Sequence, residues 1–389
     1  MTTNKNSIPF MFYLAGLSML GYLAIDMYLP AFNVMKEELG TSENAISASL
    51  SIFLAGFAFA QLLWGQLSDR LGRKPILIIG LSLFSISCLG MLWINNATQL
   101  LILRFIQAIG VCSAAVSWQA LVIDRYDTAR TKRVFAMIMP LVALSPALAP
   151  SLGSWVLSHY NWRIIFLILM IVTLLLLLPT LFLKNIQQRN VKTDTDKKAV
   201  SFFTLLKSPF FSGNVLIYGA CSAGFFAWLT SSPTILKNMG YNSTEIGLSY
   251  FPQTLAFMIG GYSCRILLEK VKSETIFPLL LIGYAISMIA IYLISISDAP
   301  SFIAILIPFC IMAAMNGASY PIAVANALSA YPKDSGKAAA LQNTLQLGLC
   351  FVASMIVSLF MENPLISTTT VMASTIVPMA IGYWIQKKK

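Results

Sequence analysis

The ten residues GQLSDRLGRK, Gly65 to Lys74, sit between two long apolar runs, 45–67 and 75–94. They hold Asp69 and three cations, Arg70, Arg73 and Lys74, within a stretch too short for anything but a turn. Gly65 suits close packing at the end of the preceding run, and Gly72 suits the turn itself. Outward from this turn the pattern repeats. Apolar runs bounded by polar loops fall at about 8–33, 98–123, 134–157, 162–183, 210–236, 245–268, 275–297, 301–329, 336–360 and 364–386, which makes twelve. A bilayer core takes roughly 20 apolar residues per helix. The chain has 389 residues, 57% hydrophobic and 11% charged, whereas soluble domains carry roughly a quarter charged residues. The composition and spacing predict an all-α membrane protein with twelve transmembrane helices.

A net charge of +11 would point to nucleic acid in a soluble chain. Here the charge follows topology. The apolar runs place all but four of the 26 lysines and arginines on one side; the exceptions are Lys36, Arg163 and Lys237 on the other side and Arg104 inside a run. This is the positive-inside asymmetry. It predicts both termini in the cytoplasm and no nucleic-acid partner. A single lysine precedes the first run without a small-residue cleavage site, so that run reads as a retained helix. The six cysteines lie in or at the ends of apolar runs without a CxxC pair, and the one histidine, His159, is in a short external loop. Neither pattern suggests a metal or another cofactor.

The longest polar stretch runs from Lys184 to Ser208. It divides the chain into an N-terminal six-helix half (1–184), a cytoplasmic linker (185–208) and a C-terminal six-helix half (209–389). A weak internal repeat supports the division. Gly65 precedes Arg70 as Gly260 precedes Arg265, each at the cytoplasmic exit of the second span of its half. Two pseudo-symmetric halves with a solute site between them are a common transporter plan.

Two charges lie clearly inside spans: Asp26 in the first and Arg104 in the fourth. Each costs about 2.5–3.5 kcal/mol to insert, so each is expected to face a cavity and a partner. By span position both sit roughly 10 Å below the external surface, which suits a pair, direct or through water. Such a pair is either a static tie between the two helices or a titratable site. Desolvation and a nearby guanidinium act on a carboxylate in opposite senses, and a group balanced between them can exchange a proton. Asp26 is then the proton carrier and Arg104 the group that tunes it.

Polar and aromatic residues on several spans are candidates to line a solute cavity. They are Tyr28 beside Asp26, Gln107 one turn from Arg104, Tyr218, Phe226 and Trp228 in the seventh span, and Tyr250 and Gln253 in the eighth. Asn316 in the tenth span and Asn343 and Gln346 in the eleventh complete the set. Amides beside aromatics suit a planar or amphipathic, neutral or cationic organic solute. The alternative is that the amides hold helices together, at about 0.6 kcal/mol each. The proline-rich run PLVALSPALAPSLGS, Pro140 to Ser154, reads as a kinked, closely packed fifth span, either a gate or a permanent bend.

GQLSDRLGRK resembles the signature loop of the major facilitator superfamily. DMYLPAF (Asp26 to Phe32) and LRFIQAIG (Leu103 to Gly110) resemble the Bcr/CflA branch of drug–proton antiporters within it. FLAGFAFAQLLWGQLSDR (Phe53 to Arg70), NVLIYGACSAGFFAWLT (Asn214 to Thr230) and ALQNTLQLGLC (Ala340 to Cys350) resemble a subgroup labelled both multidrug and purine transporters. The resemblance implies a protonation site at Asp26 tied to Arg104. It also implies a conformational latch that stabilises the outward-facing state, formed by Gly65, Asp69, Arg70, Gly72, Arg73 and Asp124, with Arg125 beside it. It implies a working monomer in a bacterial inner membrane. One departure stands out: the antiporter pattern in the fifth span has GP and then GG, where this chain has Ser145-Pro146 and Gly153-Ser154. That leaves the direction of transport open. The expected function is proton-coupled secondary transport by alternating access, exporting drug-like organic solutes in exchange for protons, with proton-linked movement of purine bases or nucleosides as the alternative. No GxxxxGK[ST] loop for an ATP-driven pump is present, and no nucleophile–base set for an enzyme.

Overall fold

The computed structural model describes residues 8–126, 128–183, 201–297, 300–329, 331 and 335–387. Every regular element among them is helical. The first half comprises α1 (Ile8–Asp26), α2 (Phe32–Glu38), α3 (Glu43–Leu71), α4 (Arg73–Gly90), α5 (Ala97–Arg125), α6 (Thr128–His159) and α7 (Arg163–Leu181). A short α8 (Phe202–Lys207) leads into the second half. That half holds α9 (Pro209–Asn238), α10 (Ser243–Leu268), α11 (Ser273–Ser295), α12 (Phe302–Ser329), α13 (Ser335–Leu359), α14 (Pro364–Ser374) and α15 (Ile376–Gln386).

Sequence sets several of these boundaries directly. Ser42, Asn96 and Ser208 cap α3, α5 and α9 by accepting from backbone N–H groups of the first turn. Asn242 and Glu245 form a reciprocal capping box at α10, satisfying donors that a helix start leaves without partners. The first span is longer than its apolar run suggests. It continues past a 3-10 turn at Leu29–Ala31, where Pro30 interrupts the helix, into α2 and ends at Glu38. The last span is similarly divided, at Thr375, into α14 and α15.

Among the described residues, ten helical stretches are long and apolar enough to cross a membrane. The other two spans are α6 and α10, of 32 and 26 residues, and these two helices pack on each other across the boundary between the halves. On α10, Leu248, Leu255, Ile259 and Tyr262 form an exposed stripe, while Gly247, Tyr250, Gln253 and Gly260 are buried. A helix with only one lipid-facing stripe needs less apolar sequence. On α11 the lipid face is Leu279, Ile282, Ile286, Ile289 and Leu293, all exposed. Apolar faces of this size on many helices are what a bilayer covers.

The loops sort to two sides. The linker side holds both ends of the described chain, the α3–α4 turn and α8. The far side holds the loop from α2 to α3 and the loop from α9 to α10. At the far side the halves are joined. Lys237 Nζ meets Glu37 Oε1 at 2.8 Å, Asn33 Nδ2 donates to the Pro233 carbonyl at 3.2 Å, and Asn44 Nδ2 to the Leu359 carbonyl at 3.1 Å. Ser51 Oγ on α3 lies 2.6 Å from Ser354 Oγ and 3.1 Å from Ser358 Oγ on α13. The α6–α10 crossing is equally tight: a Cβ on Gly247 would fall 2.5 Å from Ser154 Oγ and 2.9 Å from the Pro150 carbonyl. Further toward the linker side the halves part. Gly65 lies on the Ser51 stripe of α3 but has no atom within 4 Å of its Cβ position. Asn343 lies on the Ser354 stripe of α13 and is partly exposed. The molecule is closed at its far side and open toward its linker side. Gly65 does not provide the close packing expected of it.

Candidate functional site

Arg104 on α5 is completely buried. Its guanidinium lies between two rings, 4.0 Å from the centroid of Tyr28 and 4.2 Å from that of Phe53. One Nη donates to the Ala24 carbonyl at 3.1 Å and to Gln107 Oε1 at 2.9 Å. Its Nε and other Nη have no hydrogen-bond partner. Gln107 Nε2 in turn donates to Cys88 Sγ at 3.5 Å, and Tyr28 OH bonds Ser49 Oγ at 3.1 Å. A desolvated cation over an aromatic face gains about 2 kcal/mol. Two such faces, a carbonyl and an amide oxygen hold this charge without a carboxylate.

Asp26 is the last residue of α1 and only 3% exposed. Among the described residues it has no ion-pair or hydrogen-bond partner, and the expected pair with Arg104 does not form. Arg104 packs instead against the Ala24 carbonyl and the Tyr28 ring. Asp26 is an electrostatic neighbour of Tyr22, one turn nearer the linker side, of Tyr28, and of Tyr250 of the other half. The Tyr250 hydroxyl is 2.8 Å from Ser232 Oγ. The carboxyl therefore faces the boundary between the halves, where nothing neutralises it.

The expected cavity residues separate into two groups. Tyr28 and Gln107 belong to the Arg104 pocket and are fully buried within the first half, so neither lines a cavity. Trp228 is also closed off, its ring 5.1 Å from that of Phe309 and its Nε1 without a partner. Gln253 Nε2 donates to the Ser249 carbonyl while its Oε1 is buried without a partner. Asn316 reaches the Cys221 carbonyl and Gln346 the Cys350 Sγ, each at a long 3.5 Å. Tyr218, Phe226 and Asn343 are partly exposed. Tyr218 stacks against Tyr320, ring centroids 4.9 Å apart. Two residues absent from the sequence-based set are Tyr22, beside the acid, and Tyr320, beside Tyr218; they are 40% and 41% exposed. Tyr22 is four residues before Asp26, a helical spacing that could have marked it. Nothing in the sequence singles out Tyr320.

The residues expected to form a latch lie at or near the α3–α4 turn. Gly72 has φ +87°, a conformation that side chains disfavour. Arg73 Nε meets Asp124 Oδ2 at 3.2 Å and its Nη donates to Ser68 Oγ at 2.7 Å. Lys74 Nζ donates to the Leu181 carbonyl at the end of α7, a favourable place for a cation. Arg125 lies over the Phe10 ring at 4.2 Å. Arg70 is exposed, and the side chain of Asp69 lies outside the described residues. These contacts tie α3, α4, α5 and α7 within the first half.

Comparison with known proteins agrees with this architecture. Residues 14–354 match the family described as Major Facilitator Superfamily. The chain is 24% identical to a bicyclomycin resistance protein homolog of Haemophilus influenzae, over all of this chain and 98% of that one. It is 25% identical to the multidrug transporter MdfA of Edwardsiella piscicida, over 62% of this chain and 60% of that one. Among solved structures, a bacterial homologue of the human lysosomal transporter Spinster, crystallised inward-facing and unoccupied, superposes with a TM-score of 0.77 at 14% identity, covering 98% of both chains.

Proposed function

Since the chain belongs to the major facilitator superfamily, a family of multi-pass membrane transporters rather than enzymes, we propose that it exports drug-like organic solutes in exchange for protons, by alternating access. The observation that carries this reading is the buried, unpartnered carboxyl of Asp26 at the boundary between the halves. The drug-resistance relatives support the direction. The basic linker side is the cytoplasmic side by the positive-inside rule, so this is the inward-facing state and both termini are cytoplasmic. The protein works as a monomer in a bacterial inner membrane.

The coupling follows from solvation. An ionised Asp26 without a partner cannot be sealed away from water cheaply, because an unpaired charge in low dielectric costs several kcal/mol or takes a proton instead. The halves therefore rock only when Asp26 carries a proton or faces a cationic group. In the inward-facing state the solute displaces the proton to the cytoplasm. In the outward-facing state a proton displaces the solute. Arg104, held by its own aromatic sandwich, keeps the first span in register and takes no part in the exchange of partners.

Weakly buffered liposomes with a slightly acidic interior test this. Ethidium added outside is expected to acidify the external medium through wild-type protein and not through Asp26→Asn. External alkalinisation on adding adenosine would show symport of a purine instead. Solute uptake without any pH change would remove proton coupling altogether.

A further inference from the structure

The far-side end of the second half carries a groove of about 260 Å³ between α10 and α12. Its roof follows from the sequence of the α9–α10 turn. Gly240 takes φ +93°, and the Tyr241 N–H returns to the Leu236 carbonyl at 3.0 Å, the bond that closes a glycine-terminated helix. The turn sets the Tyr241 ring edge-on to Phe302 at the start of α12, centroids 5.5 Å apart. Leu248, Pro252 and Leu306 make the walls apolar. Glu245 stands at the far-side end, and Pro252 is seven residues deeper, roughly 10 Å along the helix. The groove opens toward lipid, since it is flanked by the exposed stripes Leu248, Leu255 and Ile259 of α10 and Ile303, Ile307 and Ile311 of α12.

Glu245 is the one charged residue of the groove, and no lysine or arginine lines it. Its Oε2 accepts from the Asn242 N–H at 2.8 Å in the capping box, and Oε1 has no partner among the described residues. We infer that the groove holds an acyl chain of a far-side-leaflet phospholipid whose primary ammonium headgroup, as in phosphatidylethanolamine, sits on Glu245. A chain descending from a headgroup at the level of Glu245 follows the apolar walls into the leaflet and gains dispersion contact along them. An ammonium N–H on the carboxylate is a charge-assisted hydrogen bond. The methyl groups of choline cannot donate one, and an anionic headgroup is repelled. Gly247, which meets α6, lies on the other side of α10 from Ser249 and Pro252. The lipid therefore backs the helix that forms this crossing between the halves, whichever solute the protein carries.

The test places purified full-length protein in nanodiscs with phosphatidylethanolamine or phosphatidylcholine carrying the same diazirine-bearing acyl chain. Photo-cross-links are then mapped by peptide mass spectrometry. Residues 236–252 and 302–306 are expected to be labelled about tenfold more from phosphatidylethanolamine. The exposed stripe of α11, Leu279 to Leu293, meets bulk lipid and should be labelled equally by both. Glu245→Gln keeps a side chain that can complete the capping box and should abolish the preference. Leu306→Trp fills the groove and should remove its labels from both lipids, with those on α11 unchanged. Equal labelling of the wild-type groove by the two lipids, or a preference that survives Glu245→Gln, would overturn the inference. So would groove labels undiminished in Leu306→Trp. Loss of the groove labels alone on adding tetraphenylphosphonium would make this a solute site and overturn the lipid assignment.

Discussion

Oxidation of the double variant Ser51→Cys, Ser354→Cys is expected to stop transport completely, and reduction to restore it. These two hydroxyls lie 2.6 Å apart on α3 and α13 at the closed far side, close enough for a disulfide once both carry sulfur. The bond would fasten the halves where they must separate for the outward-facing state. Ser354 also bonds Thr230 Oγ1 of α9 at 2.6 Å, so the seal is a chain of neutral hydroxyls spanning three helices. Neutral hydrogen bonds contribute about 1 kcal/mol each, which suits a contact that must break in every cycle. A covalent bond removes that reversibility. The six native cysteines are free thiols, so the wild type is expected to keep its activity under the same oxidant. Undiminished transport in fully cross-linked protein would mean that α3 and α13 do not part there.

The second large effect concerns Arg104. Its replacement by alanine removes two cation–ring contacts together with the donors to Ala24 and Gln107, for an expected loss of about 4 kcal/mol. That corresponds to a fall of roughly 5 °C or more in Tm. Arg104→Lys should recover little, because a compact ammonium cannot stack between two rings as a planar guanidinium does. Asp26→Asn should leave the melting temperature nearly unchanged, since the carboxyl has no partner to lose. In a double-mutant cycle the two positions should couple by less than about 0.5 kcal/mol. A static ion pair would give strong coupling and a destabilised Asp26→Asn.

Much of the architecture could be read from the sequence because lipid imposes long, regular signals. The twelve runs rest on composition summed over many residues, while most of the expected linker, 184–200, lies outside the described residues. The less apolar span, α10, is bounded by polar loops, and its single lipid-facing stripe explains the weaker signal. The turn at Gly72 was also legible, since few residues other than glycine accept its φ. What the sequence could not supply was direction around a helix axis. Level positions for Asp26 and Arg104 made a pair plausible, but which face each presents depends on how α5 packs against α1. The same ignorance placed Tyr28, Gln107 and Trp228 beside a cavity when they are sealed into helix contacts. It also left out Tyr22, one helical turn before Asp26. Gly65 was read as a packing glycine, and nothing packs within 4 Å of its Cβ position.

The most direct measurement is proton release on solute binding by purified protein in weak buffer, with tetraphenylphosphonium as the ligand. If proton and solute compete for Asp26, binding will acidify the solution. The apparent affinity will also fall as the pH is lowered, by up to about tenfold per unit where the proton dominates. Asp26→Asn will release nothing and bind independently of pH. A wild-type affinity that does not change with pH, or the same proton release from Asp26→Asn, would show that this carboxyl is not where the exchange takes place.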